Sequence, residues 1–456
     1  MVKHFYLCPP FNNRLMLVLK FGGTSVGTPE RMENVANLVT SVEGRKIIVL
    51  SAVSGTTNTL MDITNAMKSG DTEQANILVN FLEDFYNNFS KKIFKTTNYQ
   101  TLGEEIISRH FSLIRLFAAG KFDDRTRREL LAQGELISTE FFHAHLHERG
   151  LKSQMLPALH FMSIDENNEP ELEKISERLR PLIKSLEKYE VLITQGYICR
   201  NYKNEIDNLR RGGSDYTASL IGAAVSADEI QIWTDIDGMH NNDPRIVKNT
   251  FPIAELTFDE ASELAYFGAK ILHPSTIVPA QKFSIPVRLK NTMDKEAPGT
   301  IISDNSEKGK IKAIAAKDGI TAIKIKSSRM LLAHGFLRKI FEVFENHQTS
   351  IDMISTSEIA VSVTIDDNSA LNEISEELMK CGTIEVDHNQ TIICIVGNRI
   401  AEKNGVLKLI FNSLGTTPIR MVSVGGSKNN ISLLIETPHK EKALNLLNKG
   451  LFDPHD

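Results

Sequence analysis

Cysteine is scarce in this chain. Its four thiols, Cys8, Cys199, Cys381 and Cys394, are scattered over 456 residues and show no zinc or redox spacing. A disulfide scaffold is thereby excluded, and buried free thiols in a reducing, cytoplasmic setting are expected. Long apolar runs are missing too: none approaches the ~20 residues that span a bilayer, so no membrane association is expected. Residues 1–15 hold two prolines and two asparagines and lack the apolar centre of a signal peptide. They read as a disordered or alternative-start extension ahead of Met16, with an additional edge strand as the competing reading. An excess of basic charge is also absent. The net charge of -5 supplies no electrostatic footprint for nucleic acid, and no nucleic-acid module is recognisable.

What is present is a globular composition, 41% hydrophobic and 24% charged, in a chain too long for one ordinary core. Two or three domains are expected. Two glycine loops stand out. Leu17-Val18-Leu19-Lys20-Phe21-Gly22-Gly23-Thr24-Ser25 is an apolar run that breaks onto a lysine and a glycine pair. Arg210-Arg211-Gly212-Gly213-Ser214-Asp215 follows far along the chain. Loops of this kind let backbone amides approach phosphate oxygens. Neither is a Walker loop, since the four-residue spacer and the lysine-hydroxyl ending are missing. Nor does the first open a Rossmann fingerprint.

Residues 15–20 and 46–51 read as buried parallel strands. Between them Thr28 is placed to cap a helix with Pro29 at its first position, and Met32, Val35, Ala36 and Val39 give that helix one apolar face. Strand, loop, helix and strand open an α/β domain. Residues 72–150 are expected to be mostly helical, 191–194 and 230–234 to be strands, and 217–227 to be a helix. Thr257 and Glu260 form a capping box for a helix over 258–267.

Near residue 300 the character changes. Pro298-Gly299-Thr300 and the polar stretch 303–310 read as a turn and connection. Beyond lies a diverged repeat: Thr321, Gly335 and Phe341 match Thr391, Gly405 and Phe411 at an offset of 70, and Ile351, Met353 and Ser355 match Ile419, Met421 and Ser423 at an offset of 68. Each copy reads strand, glycine turn, helix, strand, strand. Such units bury their sheets only against neighbours.

The series Lys20–Ser25, Ser51-Ala52-Val53-Ser54-Gly55-Thr56-Thr57-Asn58, Gln133-Gly134-Glu135, Arg211–Asp215, Trp233-Thr234-Asp235, Asp243-Pro244-Arg245 and Phe267-Gly268-Ala269-Lys270-Ile271-Leu272-His273-Pro274 closely resembles the aspartokinase family. The tail resembles that family's paired ACT modules. The resemblance runs from about Met16 to the C-terminus. It implies an amino-acid-kinase-like αβα sandwich over 16–300, then two βαββαβ ACT domains. Residues 301–319 would connect and lend a strand, like Ile311–Ala316, to the second ACT domain (386–456), with the first (320–385) inserted. The implied activity is ATP-dependent phosphorylation of the side-chain carboxylate of L-aspartate, the entry to lysine, threonine and methionine. A monofunctional enzyme, dimeric or tetrameric through its ACT domains, is implied. The alternatives are another carboxylate kinase of the same superfamily or a catalytically silent amino-acid sensor.

Phosphoryl transfer needs alignment and positive charge on the moving oxygens. The resemblance puts Lys20, with Gly22 and Gly23, at the transferring phosphoryl group, and Asp215 beside it as an organiser of Lys20 and of hydrated Mg²⁺ associated with ATP. First-turn capping is the competing role for Asp215. Glu135 and Arg211 match residues that hold the substrate ammonium and α-carboxylate, the latter suited to a planar guanidinium fork. A helix-surface acid and a solvent-facing turn residue are the plainer readings. Ser51, Thr57 and Ser214 would line the aspartate site, with loop capping as the competing reading for the first two. Thr234, Asp235, His240, Arg245 and Lys270 match nucleotide contacts, although Asp243-Pro244-Arg245 also reads as a plain turn and Gly268 as a helix C-cap. Arg210 and His240 stand where the family usually has glycine and tyrosine. No protein metal-ligand cluster is seen. In the first ACT copy, Met330, Gly335, Phe336, Leu337, Ser350, Ile351, Asp352, Thr356, Ser357 and Glu358 resemble an L-lysine inhibitor site, with a dimerisation module lacking an effector as the competing reading.

Overall fold

The computed structural model describes residues 15–120, 122–209, 212–268, 274–327 and 334–452. The sequence-based expectations for residues 1–14, and for Arg210, Arg211, Lys270 and Met330, lie outside the described residues. Two compact units form: Met1–Gly238 with Leu272–Asp304, and Met239–Ile271 with Asn305–Asp456. The expected catalytic span 16–300 is therefore divided, because Met239–Ile271 packs with the C-terminal unit.

The first unit is built on a mostly parallel sheet. Its strands run in the order Ser153–Met155, Val191–Gln195, Arg45–Leu50, Met16–Phe21, Glu229–Thr234, Val287–Asn291 and Thr300–Ser303. The last pairs antiparallel with its neighbour. Met16–Phe21 is central, with Lys20 opposite Val49 on one side and Ile232 on the other. Leu17, Val18, Leu19 and Phe21 are buried, as a strand covered on both faces requires. The helix Pro29–Ser41 starts as the sequence dictates: the Thr28 side chain accepts from Arg31 N, and Pro29 needs no donor there. Its buried side includes Met32, Val35, Ala36 and Val39.

Residues 72–150 form the helices Thr72–Ile93, Thr97–Ala118 and Asp124–Glu148. Aromatic rings join them. Phe141 lies 5.8 Å from Tyr86 and 5.5 Å from Phe94 between ring centroids, and truncating a ring of this kind typically costs ~3–5 kcal/mol. The buried Tyr86 hydroxyl meets Thr56 Oγ1 at 2.8 Å, which ties this layer to the loop ahead of Thr57. These helices form one group with Pro29–Ser41 and Thr56–Ser69. Leu172–Ser185, Gly213–Val225 and Pro274–Lys282 form the other, giving the αβα sandwich.

One helix boundary departs from expectation. The helix expected over 217–227 is Gly213–Val225. Gly212, at φ 73°, supplies a left-handed N-cap that residues with Cβ rarely adopt. Ser214 and Asp215 thereby fall in the first turn.

The second unit holds an antiparallel sheet in the order Ile354–Thr356, Ala360–Ile365, Ala313–Lys326, Thr383–Val396, Asn430–Glu436 and Met421–Ser423. The duplication is visible in its parts. Gly335 and Gly405, at φ 82° and 81°, cap the helices Phe336–Asn346 and Val406–Leu414, and Ser355 and Ser423 lie in matching short strands. Ala313–Lys317, which overlaps the strand expected near 311–316, pairs with Ile392–Val396. The expected boundaries at 319/320 and 385/386 both fall inside continuous strands, Ala313–Lys326 and Thr383–Val396. A register irregularity between Lys317 and Ile320 lets one long strand serve both copies. The capping box at Thr257 and Glu260 forms, opening the helix Phe258–Tyr266.

Candidate active site and regulatory site

Lys20 leaves the central strand beside the glycine pair, and its Nζ stands 2.6 Å from Asp215 Oδ1. Both side chains are largely buried. The glycine pair must be small where it meets the next loop: a Cβ on Gly23 would lie 2.8 Å from the Ala52 carbonyl. Ser51 follows the strand Arg45–Leu50, its amide donating to Phe21 O and its Oγ 2.8 Å from Ser214 Oγ. Ser214 Oγ in turn donates to Glu135 Oε1 at 3.4 Å, and Tyr197 N donates to Glu135 Oε2 at 2.6 Å. Gly196 makes this junction possible, since a Cβ there would sit 2.4 Å from Ser214 Cβ.

Several of these groups line an open cleft of about 390 Å³, whose walls include Gly23, Ser51, Thr57, Glu135, Tyr197 and Ser214 with Ser54. Burial pushes the Glu135 carboxyl up to about 8 against the lowering effect of its hydrogen bonds. Its position is well braced. On its helix, Thr139 Oγ1 donates to Glu135 O and accepts from Gln195 Nε2 at 2.8 Å. Ser138 Oγ donates to Ser51 O at 2.9 Å. A cleft lined by small hydroxyl residues and a buried carboxyl, with the Lys20–Asp215 pair next to Ser214, suits a small substrate carrying both an anionic and a cationic group.

The structure thus brings Lys20, Gly23, Ser51, Thr57, Glu135, Ser214 and Asp215 together, with Gly22 beneath the Lys20 ammonium. Thr234 and Asp235 end the adjacent strand, where α/β sheets bind ligands. The Thr234 carbonyl accepts from both Thr292 N and Thr292 Oγ1. His240 and Arg245 belong to the other unit and are engaged locally: His240 Nδ1 lies 3.0 Å from Thr250 Oγ1, and the exposed Arg245 guanidinium forks onto Asp243 at 2.9 and 2.7 Å. That is the plain-turn geometry. Sequence reasoning missed Tyr197, Ser54 and Ser138. Tyr197 had one available signal, the Gly196-Tyr197 step at the end of a buried strand. Ser138 had another, its i+3 spacing from Glu135 on one helix face.

Of the residues proposed for an effector, Gly335, Phe336 and Leu337 open a helix, while Ser350, Thr356, Ser357 and Glu358 are exposed near the short strand Ile354–Thr356. Half-buried Ile351 packs against the core of the first copy. The Asp352 carboxylate already has partners within the chain. Oδ1 accepts from Lys317 Nζ at 2.8 Å and from Tyr266 OH at 2.9 Å. Burial raises the Asp352 carboxyl above its ordinary value.

The Amino acid kinase family profile matches residues 16–291, and the ACT domain profile matches 323–376 and 393–451. The chain is 34% identical to Aspartokinase 2, chloroplastic, of Arabidopsis thaliana over 96% of its own length and 85% of the relative's. Among solved structures, E. coli aspartokinase III in complex with aspartate and ADP (R-state) matches with a TM-score of 0.80 at 30% identity, covering 96% of this chain and 100% of that one. The same enzyme in complex with lysine and aspartate (T-state) matches with a TM-score of 0.76 at 31% identity and the same coverage. An amino acid kinase sandwich joined to tandem ACT modules is the class that fold and cleft define. Within that class, the chain belongs to the aspartokinase family.

Proposed function

We propose that this chain transfers the γ-phosphoryl group of ATP to the side-chain carboxylate of L-aspartate, forming 4-phospho-L-aspartate and ADP, under feedback inhibition by L-lysine. The observation that carries the catalytic reading is the Lys20–Asp215 pair at 2.6 Å, with Asp215 next in the chain to Ser214 on the cleft that the buried Glu135 also lines. The similar E. coli enzyme in complex with aspartate and ADP supports the substrates, and the complex with lysine supports the inhibitor.

In this reading Lys20 meets the charge that develops on the transferring phosphoryl oxygens, and Asp215 fixes the direction of its ammonium. The attacking carboxylate is already ionised near neutrality, so no general base is needed. Glu135 receives the substrate ammonium, Arg211 its α-carboxylate, and Ser51, Thr57 and Ser214 line the space between. Thr234 and Asp235, with the Gly22-Gly23 loop, are the first unit's share of the nucleotide contacts, and His240, Arg245 and Lys270 are assigned to the nucleotide by the family motif alone. For Arg245 this means carrying phosphate alongside, or in place of, Asp243. Among the described residues no cluster of three or more His, Cys, Asp or Glu side chains forms a metal cage. Mg²⁺ associated with ATP would neutralise phosphate charge, and Asp215, paired with Lys20, is the carboxylate that would meet its hydration shell.

Among the described residues no helix is long and apolar enough to cross a membrane. The free thiols Cys199, Cys381 and Cys394 support a cytoplasmic location. Exposed Phe341, Phe411, Ile354 and Val422 on the duplicated unit support self-association through the ACT modules. An ATP-dependent hydroxamate assay with aspartate, glutamate and acetylglutamate, with and without L-lysine, tests the whole reading. Preference for another carboxylate overturns the substrate, and insensitivity to lysine overturns the inhibitor.

A further inference from the structure

We propose that Lys317 is the messenger of the regulatory site: an effector ammonium that takes Asp352 drives Lys317 onto Asp366, and the turn at Gly268 feels the displacement. The inference rests on the reading of the first ACT copy as an amino-acid site. Neither Lys317, Asp366 nor Tyr266 belongs to the residues that resemble that site.

The geometry begins with a charge count. Lys317 Nζ lies 2.8 Å from Asp352 Oδ1 and 2.7 Å from Asp366 Oδ2. Two carboxylates thus share one ammonium, and one negative charge is left uncompensated. The Asp352 side chain is fully buried, and its Oδ2 has no hydrogen-bond partner. A desolvated carboxylate oxygen with an open acceptor position is costly unless something donates to it. An ammonium group is the donor that also balances the charge. A second cation on Asp352 repels the first, and the partly exposed Asp366 offers Lys317 a retreat without losing its ion pair.

Lys317 is connected to more than these carboxylates. Its ammonium lies 4.4 Å from the Tyr266 ring centroid, and the Tyr266 hydroxyl shares Asp352 Oδ1 with it. Its backbone lies under Gly268: a Cβ on that glycine would fall 2.3 Å from the Ala316 carbonyl and 3.7 Å from Lys317 N. Gly268 holds φ 116°, so no other residue can easily take that place. Movement of the Lys317 ammonium is therefore felt first at Tyr266, and through it at the Gly268 turn two residues on, ahead in sequence of the Ala269-Lys270 step of the nucleotide motif. An effector can control activity only by favouring one of two arrangements: Lys317 shared between Asp352 and Asp366, as observed, and Lys317 held by Asp366 alone, as the inference requires.

The test uses the full-length protein, with fold checked by circular dichroism. L-Lysine binding is measured by calorimetry and inhibition by steady-state kinetics, for wild type, Lys317→Met and Asp366→Asn. Methionine keeps an apolar stem over Tyr266 but removes the competing ammonium. K317M is expected to bind L-lysine at least as tightly as wild type, while the ratio of rates without and with saturating lysine shrinks ~5-fold or more. D366N, which removes the retreat, is expected to weaken lysine binding ~5-fold or more. Parallel loss of binding and inhibition in K317M would mean that Lys317 merely holds the site together, and it overturns the inference. So does a K317M that keeps both unchanged. Should K317M not fold, unchanged lysine binding in D366N overturns the inference by itself. A wild type that binds no lysine removes the effector reading and this inference with it, an outcome distinct from the others.

Discussion

Lys20 and Asp215 meet at 2.6 Å although almost the whole first unit separates them in sequence. One leaves the central strand and the other stands in the first turn of the helix Gly213–Val225. The pair holds the Lys20 ammonium beside the first turn of that helix, and its carboxylate also suits a helix N-terminus. Catalytic organiser and first-turn capping residue are therefore compatible roles.

Removing the ammonium should be severe for turnover and mild for folding. Lys20→Ala is expected to lower kcat at least ~10²-fold, as loss of a positioned electrostatic donor does. Steady-state kinetics on protein with a wild-type circular dichroism spectrum check this. Near-normal turnover would remove Lys20 from the reaction.

Arg211→Lys keeps the charge and loses the planar fork. Aspartate KM should then rise several-fold more than ATP KM. Equal increases, or none, would show that the α-carboxylate is read elsewhere.

Glu135 gives a pH signature. Its carboxyl is raised to about 8 by burial, so the free enzyme holds it protonated at neutrality, whereas an ammonium ligand requires it ionised. Aspartate KM should fall as pH rises from 6 towards about 8, and Glu135→Gln should flatten that slope and weaken discrimination against succinate. Stability has its own sign. Below the unfolded value of 4.5 the group is neutral in both states and contributes no difference. As pH rises towards about 8, the unfolded chain gains by ionising while the folded one does not, so stability is lost across that window. E135Q should therefore melt above wild type at pH 9 and close to it at pH 4. Identical pH profiles for the two proteins would show that Glu135 is ionised throughout.

Asp352→Ala removes the carboxylate on which Lys317 and Tyr266 converge. Inhibition by L-lysine is expected to weaken at least ~10-fold, about 1.4 kcal/mol of coupling, with uninhibited turnover nearly intact. Lysine titrations of both proteins decide it, and superimposable curves would exclude Asp352 from the energetics.

Much of this molecule is written locally. The cap at Thr28 with Pro29, the box at Thr257 and Glu260, and the paired helix starts at Gly335 and Gly405 could be read from a few neighbouring residues. Each depends on one backbone preference satisfied within a turn. The strand around Lys20 was legible for a similar reason, since a strand buried on both faces must be apolar throughout. The motif order also sufficed to place Lys20, Glu135 and Asp215 in one kinase family.

Their contacts were another matter. No spacing rule places Tyr197 N on Glu135, or fits Ser214 against Gly196, because these approaches depend on how two elements pack. Packing also decided that one strand, Ala313–Lys326, serves both ACT copies, and that Met239–Ile271 belongs with them. Above all it decided the electrostatics. The sequence supplied Asp352 as one residue of a pattern that resembles a lysine site, while the folded chain buries it against Lys317 and Tyr266. Charge is a property of residues, but the desolvation and partners that determine what a charge does exist only once distant segments are brought together.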